Sequence, residues 1–443
     1  MRAPKRHLSF GSLRHAVSHR VRAFPDGRRS AKVDYSVHDI VLSSLAMMHF
    51  QDRSLLQFQK HLEEDQHRSN LTTLFGVKAV PEDTQIRTVL DSIESDRFRP
   101  IFTDFFHRLQ RSKQLKRYEL FPKIYLCSID GSQYFSSNDV SCPKCLKREH
   151  RKGEVSYSHQ ILQAALMHPD QKQVIPLMPE EISNSDGGEK QDCEINAAKR
   201  LIRKIRQDHP QLGLILNGDG LFSKQSLIQA ALDERMHYIF VCKPDDHKIL
   251  MEWVGEQSRL GEVKTLTRVD TKKRTHSYRW INKVPLNGNK DTLEVNYFEY
   301  QLIVPQKDGT EKVTYKNSWV TDFEITPETI ETLVRGGRCR WKIENECFNT
   351  LKNQGYHIEH NYGHGTKNLS FNFFILNLLA FFIHQILELT DELFQACRTK
   401  CGSKKNLWET LRSYIKAILF LKWEDLLRFT LDPSAAGLRW EPS

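Results

Sequence analysis

Several features that would place this chain outside the ordinary folded proteins are missing. It has no internal repeats and no long low-complexity stretch, which excludes solenoids, fibrous arrays and a largely disordered chain. The basic N-terminus MRAPKRHLSF lacks the apolar run of a secretory signal, so a cytoplasmic protein is expected. The nine cysteines are mostly scattered singly in apolar stretches, as Cys127, Cys242 and Cys339 are. That usage reads as reduced thiols rather than a disulfide framework. Only FNFFILNLLAFFIHQIL (371–387) is apolar enough to suggest a membrane span. It is short, and it carries Asn372, Asn377, His384 and Gln385, so a buried core helix and no membrane partner are expected.

Acidic residues are in deficit. Lys and Arg number 65 against 55 Asp and Glu, giving a net charge of +10 and a pI near 9.0. Such a surplus favours polyanionic partners without specifying a fold. The 443 residues suffice for several units around a sizeable core.

Periodicity divides the chain. Residues 1–32 are rich in Arg, Lys, His and Ser and read as a basic arm or a solvated tail. Residues 33–120 carry helical spacing, as in VHDIVLSSLAMMHF and DRFRPIFTDFFHRLQRSKQLKRY, and suggest a small helical domain. From 121 to 250, apolar β-rich runs (KIYLCSID, SYSHQILQAALMHP, LGLILNGDG, HYIFVCK) alternate with the amphipathic segments CEINAAKRLIRKIRQDHP and KQSLIQAALDERM. That order predicts a mixed α/β sheet domain. Residues 251–322 read as a β-rich insertion with hairpin turns at Asn287-Gly288 and Asp308-Gly309. Residues 323–365 return to a helix, and 366–443 continue helical.

Three carboxylates stand out. Asp130 and Asp219 each end an apolar strand pattern beside glycine, where a sheet presents functional groups and a ligand can approach closely. Glu344 lies in RCRWKIENECFNTLKN. A period near 3.6 puts it with Trp341, Phe348 and Leu351, while Glu346 points away. A charge on an apolar helix face is costly unless compensated, and a metal ion would compensate it. Paired hard cations about 3.5–4 Å apart, held by carboxylates, activate the attacking oxygen and stabilise the leaving oxygen in phosphodiester chemistry. On residues alone, surface carboxylates or helix caps are the commoner reading, and the triad is only moderately specific.

The string Arg340-Trp341-Lys342-Ile343-Glu344, followed by Phe348 and Lys352, resembles the signature helix of DDE transposases from bacterial insertion sequences with a β-rich insert before the last carboxylate. IDGSQYFSS and LNGDGLFSK resemble the strand motifs around that family's two aspartates, and EHNYGHG (359–365) resembles a feature of one branch. Asp130 and Asp219 are 89 residues apart, and 125 more lead to Glu344, which leaves room for the insert. The resemblance spans roughly 35–430. It implies an RNase-H-like catalytic domain with an all-β insertion, flanked by helical regions of which the first binds DNA. It further implies that Asp130, Asp219 and Glu344 hold two Mg²⁺, with Mn²⁺ as a substitute. The activity implied is cleavage at the terminal inverted repeats and strand transfer by a homodimer or larger assembly on double-stranded DNA, at the nucleoid. An RNase-H-like nuclease without strand transfer, or a relict that only binds DNA, stays open. The family helix carries Tyr three residues before the Arg and Lys seven after the Glu. Here those positions are Gly337 and Leu351, with Lys352 adjacent, so a tyrosine contact to the cut end is not carried over.

Arg340 reads either as a helix salt bridge or as a bidentate phosphate clamp, and Trp341 and Lys352 are further candidate DNA contacts. The basic runs 111–117, 147–152 and 271–274 add candidate phosphate contacts. Cys142-Pro143-Lys144-Cys145 is compatible with half of a structural Zn²⁺ site. His150 and Cys193 are the candidate remaining ligands, and His159 also lies downstream. The alternative is a reduced thiol pair in a polar hairpin.

Overall fold

The computed structural model describes residues 6–28, 33–52, 69–151, 153–184 and 191–434. The outer parts of the basic N-terminal segment and Lys152 therefore lie outside the described residues.

The fold is mixed α+β, built on one large sheet. The strand β2 (Ile124–Ser137) follows the short β1 (Glu119–Phe121), which pairs with it. One edge of β2 pairs antiparallel with β4 (Val155–Met167), from Leu126↔Met167 to Ser137↔Tyr157. The other pairs parallel with β7 (Gly213–Gly218), from Ile124↔Gly213 to Ser128↔Asn217. β3 (Leu146–Glu149), β5 (Ile175–Pro176) and β6 (Glu180–Ile182) cover the outer edge of β4 in turn. Beyond β7 comes the parallel β8 (His237–Val241). A parallel neighbour needs a crossover, and the helices Glu194–Asp208 and Gln225–Asp233 precede β7 and β8 respectively. The first buries Ala197, Ala198, Leu201, Ile202 and Ile205, the stripe its amphipathic pattern predicts.

The insertion continues the same sheet. β9 (Lys264–Val269), β10 (Thr275–Pro285), β11 (Glu294–Pro305) and β12 (Glu311–Thr321) form an antiparallel meander, and β12 pairs with β8 through Trp319↔Val241. A helix, Lys248–Arg259, precedes these strands where only β structure was expected. Leu250 and Val254, one helical turn apart, are its buried anchors.

Helices from both ends of the chain form the remaining layer. Val37–His49 and Asp83–Ser92 pack on Leu369–Thr390. By length and composition that last helix could cross a membrane, yet every residue from Phe371 to Leu387 is buried within the protein. Its polar side chains find protein partners. Asn372 donates to the carbonyls of Leu90 and Ile93, Asn377 donates to that of Tyr356, and Gln385 accepts from the Val174 amide. Such partners make buried amides tolerable.

Two further sequence expectations differ from the structure. Within the supposed basic arm, Phe10–Val21 is a helix capped by Ser9, because Phe10, Leu13, Val17 and Val21 recur at helical spacing and bury. Asp130 stands within β2 rather than at its end, since the antiparallel pairing with β4 carries the strand on to Ser137.

The helix Ile330–Arg338 lies on the sheet at close range. The Asn217 side-chain amide donates to the Gly336 carbonyl at 2.9 Å. A β-carbon at Gly336 would meet Leu120, and one at Gly337 would lie 2.7 Å from the buried indole of Trp319. Glycine at 337, where the resembling family carries Tyr, is therefore a packing requirement. We expect Gly337→Ala to lower stability by about 1–2 kcal/mol despite the better helix propensity of Ala, because a rigid ring must move. Denaturant melts at constant m-value check this, and an unchanged midpoint would contradict it.

Candidate active site

Parallel pairing brings the two aspartates together. The last registered pair of β2 and β7 is Ser128↔Asn217, and two residues onward stand Asp130, within β2, and Asp219, just past the end of β7. Each carboxylate is tied to its own backbone. Asp130 Oδ1 accepts from the Gly131 amide at 3.0 Å, and Asp219 Oδ1 accepts from the Leu221 amide at 2.9 Å.

Glu344 arrives from the other direction. Residues 341–342 are helical, Ile343–Phe348 forms a π turn in which the Asn349 amide reaches back to the Glu344 carbonyl, and Asn349–Asn353 completes the helix. The expected shared face of Trp341, Glu344, Phe348 and Leu351 does not hold. Trp341 and Glu344 are exposed, whereas Ile343, Cys347, Phe348 and Leu351 are buried. The turn at Cys339–Arg340 and the wider π turn shift the phase that an ideal helix would give. Glu344 is thus a rim residue, and no buried charge needs explaining.

Arg340 joins the two sides. Its guanidinium donates to Glu344 Oε1 at 2.6 Å and lies 3.7 Å from Asp130 Oδ2. The helix salt bridge read from the sequence is present, and the same guanidinium also lies against the Asp130 carboxylate. Lys342, the buried neighbour, donates from Nζ to the carbonyls of His168, Pro169 and Gln171 at 2.6–3.0 Å. Arg335 bonds Asp170 in the same loop. These two cations anchor the glutamate segment to the loop after β4.

Sequence reasoning missed a fourth carboxylate. Glu194, the first residue of the helix before β7, fills the space that a β-carbon on Gly131 would need. Burial raises its pKa, and Asp219 adds to the rise. No spacing signal marks it, because its neighbours in space come from other strands. The Asp130 carboxyl is pushed up to about 7, chiefly by burial and against the pull of Arg340, with Glu344, Asp219 and Glu194 adding to the rise. This is a concentration of negative charge with one guanidinium inside it, a donor set chemically suited to hard divalent cations. The ligand atoms are nevertheless more spread than those of the Cys/His cluster below, the one group among the described residues in which they all lie within 4.8 Å.

The other candidates divide. Trp341 is 46% exposed, and Lys352 is paired with Glu359 at 2.8 Å. Cys142 and Cys145 meet His159 and His364, not the expected His150 and Cys193. His150 sits in an exposed turn with Nε2 2.8 Å from Ser156 Oγ, and Cys193 is exposed at the start of the Glu194–Asp208 helix. The strand β4 carries His159 inward beside the cysteines, which the linear spacing did not reveal.

No protein-family model matches this chain, and no curated protein matches it.

The raised Asp130 carboxyl has a consequence for stability. An aspartate whose folded-state pKa exceeds its unfolded value near 4 stabilises the fold only while protonated, so its contribution is complete below about pH 4 and lost as pH rises through about 7. Asp130→Asn stays neutral throughout. In chelator-treated buffer we expect this variant to gain stability relative to the wild type between about pH 4 and 7, read from urea midpoints. A pH-independent difference would contradict the assignment.

Proposed function

We propose that this chain is a DNA transposase with an RNase-H-like core, cleaving the ends of its own element and joining them to target DNA. The observation that carries the reading is the convergence of Asp130, Asp219 and Glu344 from two adjacent strands and a distant helix, with Arg340 between Asp130 and Glu344. The mixed sheet supports it, since β2 has an antiparallel partner on one side and a parallel one on the other. So does the meander inserted between the second aspartate and the glutamate.

Asp130, Asp219 and Glu344, with Glu194 at the margin, would hold two Mg²⁺, which when bound supply an activated attacking oxygen and charge stabilisation on the leaving oxygen. The remaining chemistry belongs to the chain's own residues. The Asp130 carboxyl must lose its proton to act as a ligand, so cation affinity rises with pH up to about 7. Arg340 holds Asp130 and Glu344 by charge. Freed from them, its planar fork can donate two parallel hydrogen bonds to a phosphate. Trp341, exposed three residues before Glu344, offers an aromatic face to an unpaired base. Lys342, Arg335 and Asn217 do not contact DNA in this reading. They position the helix that carries Arg340 and Glu344.

Alanine at Asp130, Asp219 or Glu344 is expected to lower Mg²⁺-dependent end cleavage about a thousandfold, with end binding retained and Glu346→Ala within about twofold of wild type. Glu194→Gln is expected to lose about ten- to a hundredfold, the scale of a group that tunes metal ligands. Gel assays on DNA carrying the terminal repeats, with a plasmid target, read both cleavage and joining. Cleavage without joined products would leave only a nuclease. Loss of activity in Glu346→Ala but not Glu344→Ala would overturn the third ligand.

A further inference from the structure

We propose that Cys142, Cys145, His159 and His364 bind one structural Zn²⁺ that fastens the connection after β2 and the strand β4 to the segment following the Glu344 helix. The site stands apart from the carboxylates and is independent of the reaction assigned to them.

Its geometry is specific. Cys142 Sγ and Cys145 Sγ are 3.8 Å apart, and each lies 3.5 Å from His159 Nε2. His364 Nε2 is 3.4 Å from Cys145 Sγ and 3.1 Å from His159 Nε2. A tetrahedron with Zn–S near 2.3 Å and Zn–N near 2.0–2.1 Å has edges of about 3.8 Å for S···S, about 3.5–3.6 Å for S···N and about 3.3 Å for N···N. Five edges thus follow the tetrahedral pattern within a few tenths of an ångström. The sulfurs are too far apart for a disulfide, and hydrogen bonding among thiols and imidazoles gives no reason for four groups to surround one point.

The surroundings orient the ligands. His364 Nδ1 is 3.0 Å from the Gly365 carbonyl, which only an Nδ1–H donor satisfies, so the Nε2 lone pair faces the sulfurs. His159 Nδ1 lies 3.7 Å from the carboxylate of Glu181, a residue itself held by Lys144. At that distance Glu181 does not accept a hydrogen bond from the buried Nδ1, and its carboxylate acts on His159 through charge. The turn between the cysteines is closed by the Cys145 amide donating to the Cys142 carbonyl at 3.1 Å. Tyr134 stacks on His159, and Phe135 lies 4.5 Å from His364 between ring centroids, so aromatic rings shield one side.

Four protein ligands leave no open position, which marks a structural rather than a catalytic metal. The connection it makes is long. His364 is brought to the cluster from 205 residues beyond His159. Asp91 shapes that segment by accepting from the amides of Thr366, Lys367, Asn368 and Leu369 at 2.9–3.2 Å, and Gly363 and Gly365 adopt positive φ there. Tyr134 and Phe135 belong to β2, the strand of Asp130.

The full-length protein, purified without added metal and dialysed against a mild chelator, is expected to retain about one zinc per chain by elemental mass spectrometry. Cys145→Ser and His364→Ala are expected to lower that content about tenfold or more, while Cys193→Ser and His150→Ala keep it. Because ligand variants can misfold, alkylation of the wild type supplies a second reading. Cys142 should be protected until a strong chelator removes the metal, whereas Cys193 reacts throughout. A zinc-free wild type, zinc unchanged in both ligand variants, or Cys142 reacting equally with and without chelator would each overturn the proposal.

Discussion

Backbone hydrogen bonding between β2 and β7 sets a parallel register that runs from Ile124↔Gly213 to Ser128↔Asn217, and the candidate site is built on it. A slip of one residue would turn one aspartate to the opposite face of the sheet. The register is held by more than the ladder. Asn217, fully buried at its end, donates to the Gly336 carbonyl, so the strand that presents Asp219 also locates the helix leading to Arg340 and Glu344. Gly336 and Gly337 permit that approach by leaving room for Leu120 and Trp319.

Bringing carboxylates together works against the stability of the fold. Asp130 is mostly shielded from water, and Glu194, Asp219 and Glu344 all raise its pKa. Arg340 opposes them directly. An arrangement of this kind persists because the surrounding framework over-determines it, and strained electrostatics of this sort gather at functional sites. Here the framework includes Lys342 and Arg335 fixed to the 168–171 loop, and the buried helix Leu369–Thr390 packed beside β5.

The Cys/His cluster ties the same two sides together at a second point. Asp130 and Glu344 are linked through Arg340, while β4, beside the far end of β2, meets the chain beyond Asn353 through His159 and His364. Two links at separate points restrain rotation of the glutamate segment better than either alone. That is the rigidity a site needs when displacement by about an ångström costs much of its function.

Much of this was legible in the sequence, because local physics acts on neighbours in the chain. Helical period marked Val37–His49, Arg99–Arg111 and Glu194–Asp208, and β-rich runs marked β2, β4, β7 and β8. Glycine beside Asp130 and Asp219 singled out both aspartates. Other features depended on contacts across the fold. The π turn moved Glu344 off the apolar face on which an ideal helix placed it. Glu194 joined the carboxylates only because its helix begins over Gly131. His159 and His364, rather than His150 and Cys193, met the cysteine pair because strand pairing and the Asp91-bound segment carried them there. Composition and periodicity therefore determined the elements and the types of group available for chemistry. Which groups share a site was decided by strand register and helix packing, since those alone bring residues far apart in the chain within bonding distance.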